Sequence, residues 1–298
     1  MEKVVFGKTE AVRFALTALF AGEHLLLEDI PGVGKTLLAH AIARSVSGSF
    51  HRVQFTPDLL PADITGSSYF DEKQREFRFA PGPIFTNILL ADEINRTTPR
   101  TQSAMLEAMN EGQVSIDGKT MPLPKPFMVV ATENPMEFEG TYPLPESQLD
   151  RFLLRVSIGY PDRKAEMEVL HSHQLSRPID SLGPVVDSEQ ILRIQAAAAR
   201  VTVDETIYRY VLDLAEATRQ HESLFVGVST RGVIALSRAI RAYALIEGRD
   251  FVVPDDVKTL AVPVLSHRVV PKGYGHGNIR QTVESLIEQI IDTVPVPA

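Results

Sequence analysis

Short apolar runs separated by helically spaced segments dominate the first half of the chain. "HLLLED" (residues 24–29), "FHRVQF" (50–55), "NILLADE" (87–93) and "FMVVATEN" (127–134) read as buried strands, and "FLLRVSI" (152–158) as a candidate fifth. Helical spacing occupies residues 36–46 and 99–110 between them. Strands alternating with helices predict a parallel sheet with right-handed crossovers. After "GYPDR" (159–163) the pattern becomes mostly helical, over 164–174, 188–199, 204–221, 230–247, 254–265 and 279–291. Asp204, Thr230 and Pro254 stand where N-caps or first-turn residues belong. The pattern thus predicts an α/β core over residues 1–160 and an α-helical second domain over 161–298, with "SRPIDSLGPVVDS" (176–188) as the linker.

Two stretches interrupt the core. Residues 69–85, "YFDEKQREFRFAPGPIF", alternate aromatic and charged positions and read as a small hairpin. Residues 112–126, "GQVSIDGKTMPLPKP", carry Asp117-Gly118, a strong hairpin-turn signal. The glycine-rich "GYGHGN" (273–278) reads as a loop, because no strand precedes it.

Composition narrows the classes. The chain has 298 residues, 44% apolar and 23% charged, enough for a sizeable core of ordinary globular type. The absence of cysteine excludes disulfides and thiolate metal sites. No apolar run reaches the ~18 residues that span a membrane, and "MEKVVFGKTE" is no signal peptide, so a cytoplasmic protein is expected. A net charge of −8 disfavours a general nucleic-acid binder.

The chemistry concentrates at predicted strand ends. "LLLEDIPGVGKTLLAHAIA" (25–43) is a strand, a glycine-bearing turn and a helix, close to the phosphate-loop pattern G-x-x-x-x-G-K-S/T. Backbone N–H groups there bind phosphate oxygens, Lys35 reaches the β- and γ-phosphates, and the Thr36 hydroxyl suits Mg²⁺. Pro31, Gly32, Val33, Gly34 and Leu37 complete the expected nucleotide-binding loop. Asp29 stands where the pattern asks for glycine. A carboxylate facing inward at roughly 8 Å would cost about 2 kcal/mol per unit phosphate charge at an effective dielectric of about 20; if it points away, Lys35, Mg²⁺ and the helix dipole outweigh the repulsion. "ILLADE" ends in Asp92, suited to hold Mg²⁺, and Glu93, suited to deprotonate the attacking water. "VVATENP" offers Asn134 at the end of the next strand.

With these motifs in order, the chain resembles the MoxR family of AAA+ ATPases. "LLLEDIPGVGKT", "FTPDLLPADITG", "FRFAPGPIF", "NILLADEINRTTPRTQSAMLEAMNEGQV", "ATENPMEFEGTYPLPESQLDRFLLRVSIGYP", "GVSTRGVIALSRAIRAYALIEGRDFVVPDDV" and "VLSHRV" carry the resemblance across nearly the whole chain. It implies a P-loop AAA+ core with a five-stranded parallel sheet and a C-terminal helical lid. Lys35 and Thr36 would be the Walker A residues, Asp92 and Glu93 the Walker B pair, and Asn134 sensor 1. Arg151, in "LPESQLDRF", matches the arginine finger, with Arg155, Arg96 and Arg100 as rivals. Arg231 matches sensor 2 and would clamp the γ-phosphate as the lid closes; Val5 and Gly7, in "VVFG", match the segment that packs on adenine. The implied activity is Mg-dependent ATP hydrolysis by a ring oligomer, a hexamer, driving chaperone-like remodelling of protein clients. A von Willebrand factor A domain protein is the implied partner. The competing readings are a nucleic-acid-translocating motor, for which the hairpins lack an aromatic–basic array, and a nucleotide-gated binding module with negligible turnover.

Overall fold

The computed structural model describes residues 1–135, 140–173, 178–273 and 279–297. The start of the expected linker (176–177) and most of the glycine-rich stretch (274–278) lie outside the described residues. The chain opens with a helix that the strand–helix pattern does not include, α1 (Thr9–Ala21). It continues through β1 (Leu25–Glu28), α2 (Lys35–Ser45), β2 (Phe50–Gln54) and the short α3 (Pro61–Thr65). The first hairpin is β3 (Gly66–Asp71) with β4 (Glu76–Pro81); β5 (Ile88–Asp92) and α4 (Pro99–Glu111) return to the core. The second hairpin, β6 (Gln113–Ile116) and β7 (Lys119–Pro122), precedes β8 (Met128–Glu133), the one-turn α5 (Glu146–Leu149) and β9 (Leu154–Val156). Helices α6 (Arg163–His173), α7 (Ser188–Ala198), α8 (Glu205–Gln220), α9 (Thr230–Ile246), α10 (Pro254–Leu265) and α11 (Ile279–Thr293) follow. Asp204 and Ser229 cap α8 and α9 through their side chains, and Pro254 opens α10.

The five core strands form one parallel sheet in the order β9-β1-β8-β5-β2. All residues of β1 and β5 are buried, as expected of strands covered on both faces. Their side chains still alternate between two cores. Leu25, Leu27, Ile88, Leu90, Met128 and Val130 face α1 and α2. Leu26, Leu89, Ala91, Val129 and Ala131 face α4, meeting Met105, Leu106 and Met109.

The first of these cores does not stop at the sheet. It runs without a break into the C-terminal helices, where Leu236, Ala239, Ile240 and Ala244 of α9 belong to the same cluster as Ala15, Ala18 and Leu19 of α1. Ala15 and Ala18 are fully buried, and their small side chains let α1 and α9 approach closely. Ion pairs Arg13–Glu247 (2.9 Å) and Arg238–Glu23 (2.5 Å) flank the contact. The described part of the linker is docked as well, since Val186–Asp187 pairs in parallel with Val46–Ser47. Ala18→Leu should therefore overpack the α1–α9 contact and cost about 1–3 kcal/mol. Urea unfolding followed by circular dichroism should show one transition shifted to lower midpoint; two separate transitions would contradict a shared core.

Candidate nucleotide site

A parallel sheet delivers every strand's carboxyl end to one edge, and ligands bind there. β1, β8 and β5 are neighbours, so the loop after β1, the pair Asp92-Glu93 and Asn134 arrive side by side. Gly32 and Gly34 adopt φ of 84° and 97°, where side chains are strained, and nothing lies within 4 Å of where their Cβ atoms would be. The loop between them is an open backbone cradle leading into the N-terminus of α2, the geometry that binds phosphate. Pro31 is exposed, whereas Val33 and Leu37 pack against the first core and seat the loop. Lys35 Nζ donates to the carbonyls of Asp29 and of Glu133 (2.9 Å for the latter). The Thr36 hydroxyl lies 3.4 Å from Asp92 Oδ2, which brings two oxygen donors together beside the loop.

Asp29 points away from this cradle. Its Oδ2 accepts from Ser157 Oγ (2.7 Å) and from the N–H groups of Ile158 (2.7 Å) and Gly159 (2.6 Å). Its Oδ1 accepts from the Ile30 N–H (2.8 Å). Burial pushes the carboxyl pKa up, but these four donors outweigh it and hold the group below the usual range. The acid that breaks the loop pattern thus fastens the start of the loop to the exit of β9. The same exit receives the N-terminal segment: Val5 is buried, Lys8 Nζ donates to the Tyr160 carbonyl (2.7 Å), and Gly7 lies where a Cβ would meet Ala165 at 2.7 Å.

Asp92 is held by the Thr132 hydroxyl at Oδ1 (2.6 Å) and by Arg52 at Oδ2 (2.6 and 3.1 Å). Glu93 adopts φ 58° and ψ 52°, an uncommon conformation for an L residue, fixed by its N–H donating to the Thr132 hydroxyl (2.9 Å). Its Oε2 accepts from Gln54 (2.6 Å) and Arg96 (3.0 Å). Sequence reasoning missed Arg52 and Gln54. The available signal was their spacing, two apart on the strand next to the acids and hence on one face. Asn134 is buried at the expected strand end, its carbonyl 3.4 Å from Asn95 Nδ2.

The arginines divide between the two ends of the sheet. Leu25 pairs with Leu154, and the Leu153 N–H donates to the His24 carbonyl (2.9 Å), so Arg151 enters at the amino-terminal edge. That is about 13 Å, the length of β1, from its own phosphate loop. Arg151 is half-buried and donates to the Leu106 carbonyl of α4. Arg231 lies at that edge too. It meets Asp150 (3.2 Å) and Asn110 (3.3 Å) at the same edge, out of reach of its own loop, because α9 packs along α1 with its N-terminus at that edge. Of the rival fingers, Arg155 is committed to a buried ion pair with Glu28 (3.3 Å), Arg96 pairs with Glu93 (3.0 Å), and Arg100 is exposed at the start of α4.

Residues 24–154 match the model of the ATPase family associated with various cellular activities (AAA), and residues 216–290 match the AAA lid domain. Chaperone MoxR1 of Mycobacterium tuberculosis is 40% identical over 306 residues, covering 100% of this chain and 80% of that protein. The chain belongs to the MoxR family of AAA+ ATPases. A further relative, the uncharacterized protein YeaC of Bacillus subtilis, is 48% identical over 299 residues, covering 100% of this chain and 92% of YeaC. A crystal structure of a candidate ATPase from Cytophaga hutchinsonii superposes with a TM-score of 0.89 at 36% identity, over 99% of this chain and 92% of that one. The expected fold class is borne out: a P-loop α/β core with a five-stranded parallel sheet, and a helical lid. This MoxR-family protein is accordingly an ATP-hydrolysing enzyme that binds nucleotide.

Beneath its phosphate loop the MoxR-family core carries a charge cluster that the motifs do not mark. Glu28 and Glu133 are directly paired on β1 and β8. Glu28 takes Arg155 (3.3 Å) and, from α11, Arg280, which meets its carboxylate (3.2 Å) and donates to its carbonyl (2.7 Å). Desolvation and the adjacent Glu28 push the Glu133 carboxyl up to about 7, against the opposing charges of Arg155, Lys35 and Arg280.

Two predictions follow from the loop and this cluster. Asp29→Gly, which restores the glycine pattern, should destabilise the protein by about 1–3 kcal/mol because it orphans donors at the β9 exit. Equal urea midpoints for wild type and variant would show that those bonds contribute nothing. For Glu133 the folded state binds the proton more tightly than the unfolded chain. Its contribution to stability is full below about 4.5 and is lost as pH rises through about 7. Glu133→Gln cannot titrate, so its melting temperature relative to wild type should rise by several degrees between about pH 5 and about pH 8; a pH-independent difference would contradict the cluster's electrostatics.

Proposed function

We propose that this chain assembles into a ring, most simply a hexamer, whose Mg-dependent ATP hydrolysis is completed by arginines lent across subunit boundaries. The observation that carries this reading is the separation of Arg151 and Arg231 from their own phosphate loop by the length of the sheet. Two cations gathered at that edge are placed to serve a site on another subunit.

Within one subunit the loop backbone from Pro31 to Gly34, with Lys35, holds the phosphates, and Val5 and Gly7 border the base. Thr36 and Asp92 would hold Mg²⁺, which supplies charge neutralisation on the phosphate oxygens. Glu93 Oε2 takes the proton from the attacking water, and Asn134 orients that water. Gln54 and Arg96 restrain the Glu93 carboxylate until it turns to its task. Arg151 leaves the Leu106 carbonyl to reach the neighbour's γ-phosphate, a contribution worth about 10³–10⁵ in rate for an arginine finger.

The work done is chaperone-type remodelling of protein clients in the cytoplasm, a role supported by the name of the MoxR1 relative. Among the described residues no helix is long and apolar enough to cross a membrane. The first hairpin fits a protein client. Phe70 and Phe77 are more than half exposed and meet edge to face at 5.3 Å, beside the exposed Tyr69. Exposed rings clustered in this way suit an apolar peptide or a partner such as a von Willebrand factor A domain protein.

Mixing variants tests the shared site. Lys35→Ala and Arg151→Ala should each lack ATPase activity alone, and rings containing both should regain a measurable part of it through interfaces pairing an intact loop with an intact arginine. Dual-tagged heteromers that stay inactive would reject the proposal.

A further inference from the structure

The segment that carries Arg151 is gripped by the lid. Asp150 closes α5, and its carboxylate receives two lid arginines: Arg268 Nε at Oδ1 (2.8 Å) and Arg231 Nε at Oδ2 (3.2 Å). Arg268 lies just past α10, and its side chain is only 3% exposed. Its remaining nitrogens donate to the carbonyls of Asp150 (3.2 Å), Phe152 (2.7 Å), Leu153 (3.1 Å) and Val264. One guanidinium thus binds carbonyls on both sides of Arg151. Burial lowers the Arg268 pKa to about 10 while Asp150 opposes the shift, so the group stays charged at neutral pH. Neutral His267 is buried beside it, its Nε2 lying 2.6 Å from Arg268 and 3.0 Å from the Phe152 carbonyl. A buried cation with so many acceptors is costly to break, because removing one partner strands the other.

We propose that Asp150 is a positioning residue: with Arg268 as its buried anchor it holds Arg151 and Arg231 in one fixed relation, so that lid and finger edge move as a single body toward the neighbouring subunit's nucleotide. This rests on the shared-site reading above. It makes the lid of each subunit answer to the nucleotide of its neighbour through residues 150–153. A residue that merely stabilised the subunit would weaken loop and edge alike, whereas Asp150 acts on the edge alone.

Asp150→Asn tests this in the full chain. The variant should bind a fluorescent ATP analogue within about twofold of wild type, with kcat lowered at least about tenfold and KM changed by less than about threefold. In dual-tagged heteromers it should regain activity with Lys35→Ala, whose edge is intact, and gain none with Arg151→Ala. Recovery with Arg151→Ala, or kcat within about twofold of wild type, would overturn the proposal. Should the parent pair of Lys35→Ala and Arg151→Ala itself show no recovery, the shared-site reading fails, and this proposal with it. If Asp150→Asn does not fold, Asp150→Glu, which keeps the carboxylate charge but shifts it by one methylene, should show the same asymmetry of rescue with a smaller loss; symmetric rescue would overturn it.

Discussion

The polarity of a parallel sheet governs what each residue of this protein can reach. Every strand ends at the same edge, so the phosphate loop, Asp92, Glu93 and Asn134 converge without any long-range device. The segment entering β9 begins at the opposite edge by the same rule, and it brings Arg151 with it. An acid-lined nucleotide site and an arginine-bearing edge are therefore built into one subunit but kept a strand's length apart.

Buried charge marks both ends of this arrangement. At the carboxyl edge Arg280 of the last helix seizes Glu28, the residue immediately before the loop. At the amino edge Arg268 and Arg231 seize Asp150, the residue immediately before Arg151. Ion pairs of this kind contribute little net stability against well-packed apolar substitutes, yet they are directional and resist rearrangement. Between them the continuous core through α1 and α9 supplies the adhesion. The lid is fastened to the core by apolar packing in the middle and by arginines at both edges.

Asp29 shows how a motif can depart from its pattern without losing its purpose. A glycine at that position permits the turn; an aspartate permits it too and accepts four hydrogen bonds, three of which hold the loop against the exit of β9. The repulsion expected on the sequence depends on which way the carboxylate faces. Three donors from one neighbouring segment decide that direction.

Much of the fold was legible along the chain. Buried strands 4–6 residues long ended within a few positions of their expected limits, and the lid helices began at their expected caps, because periodicity and capping are local properties. The loop glycines, Lys35, Thr36, Asp92 and Glu93 were legible for the same reason, each fixed by a short spacing. What could not be read was any pairing between distant segments: Asp29 with residues 157–159, Arg52 and Gln54 with the acids of β5, Glu28 with Glu133 and Arg280, Arg231 with Asp150 instead of its own phosphates. Local pattern determined which chemistry the chain carries. Tertiary structure decided which groups share an edge, since partners 39 to 252 residues apart meet only through strand order and helix packing.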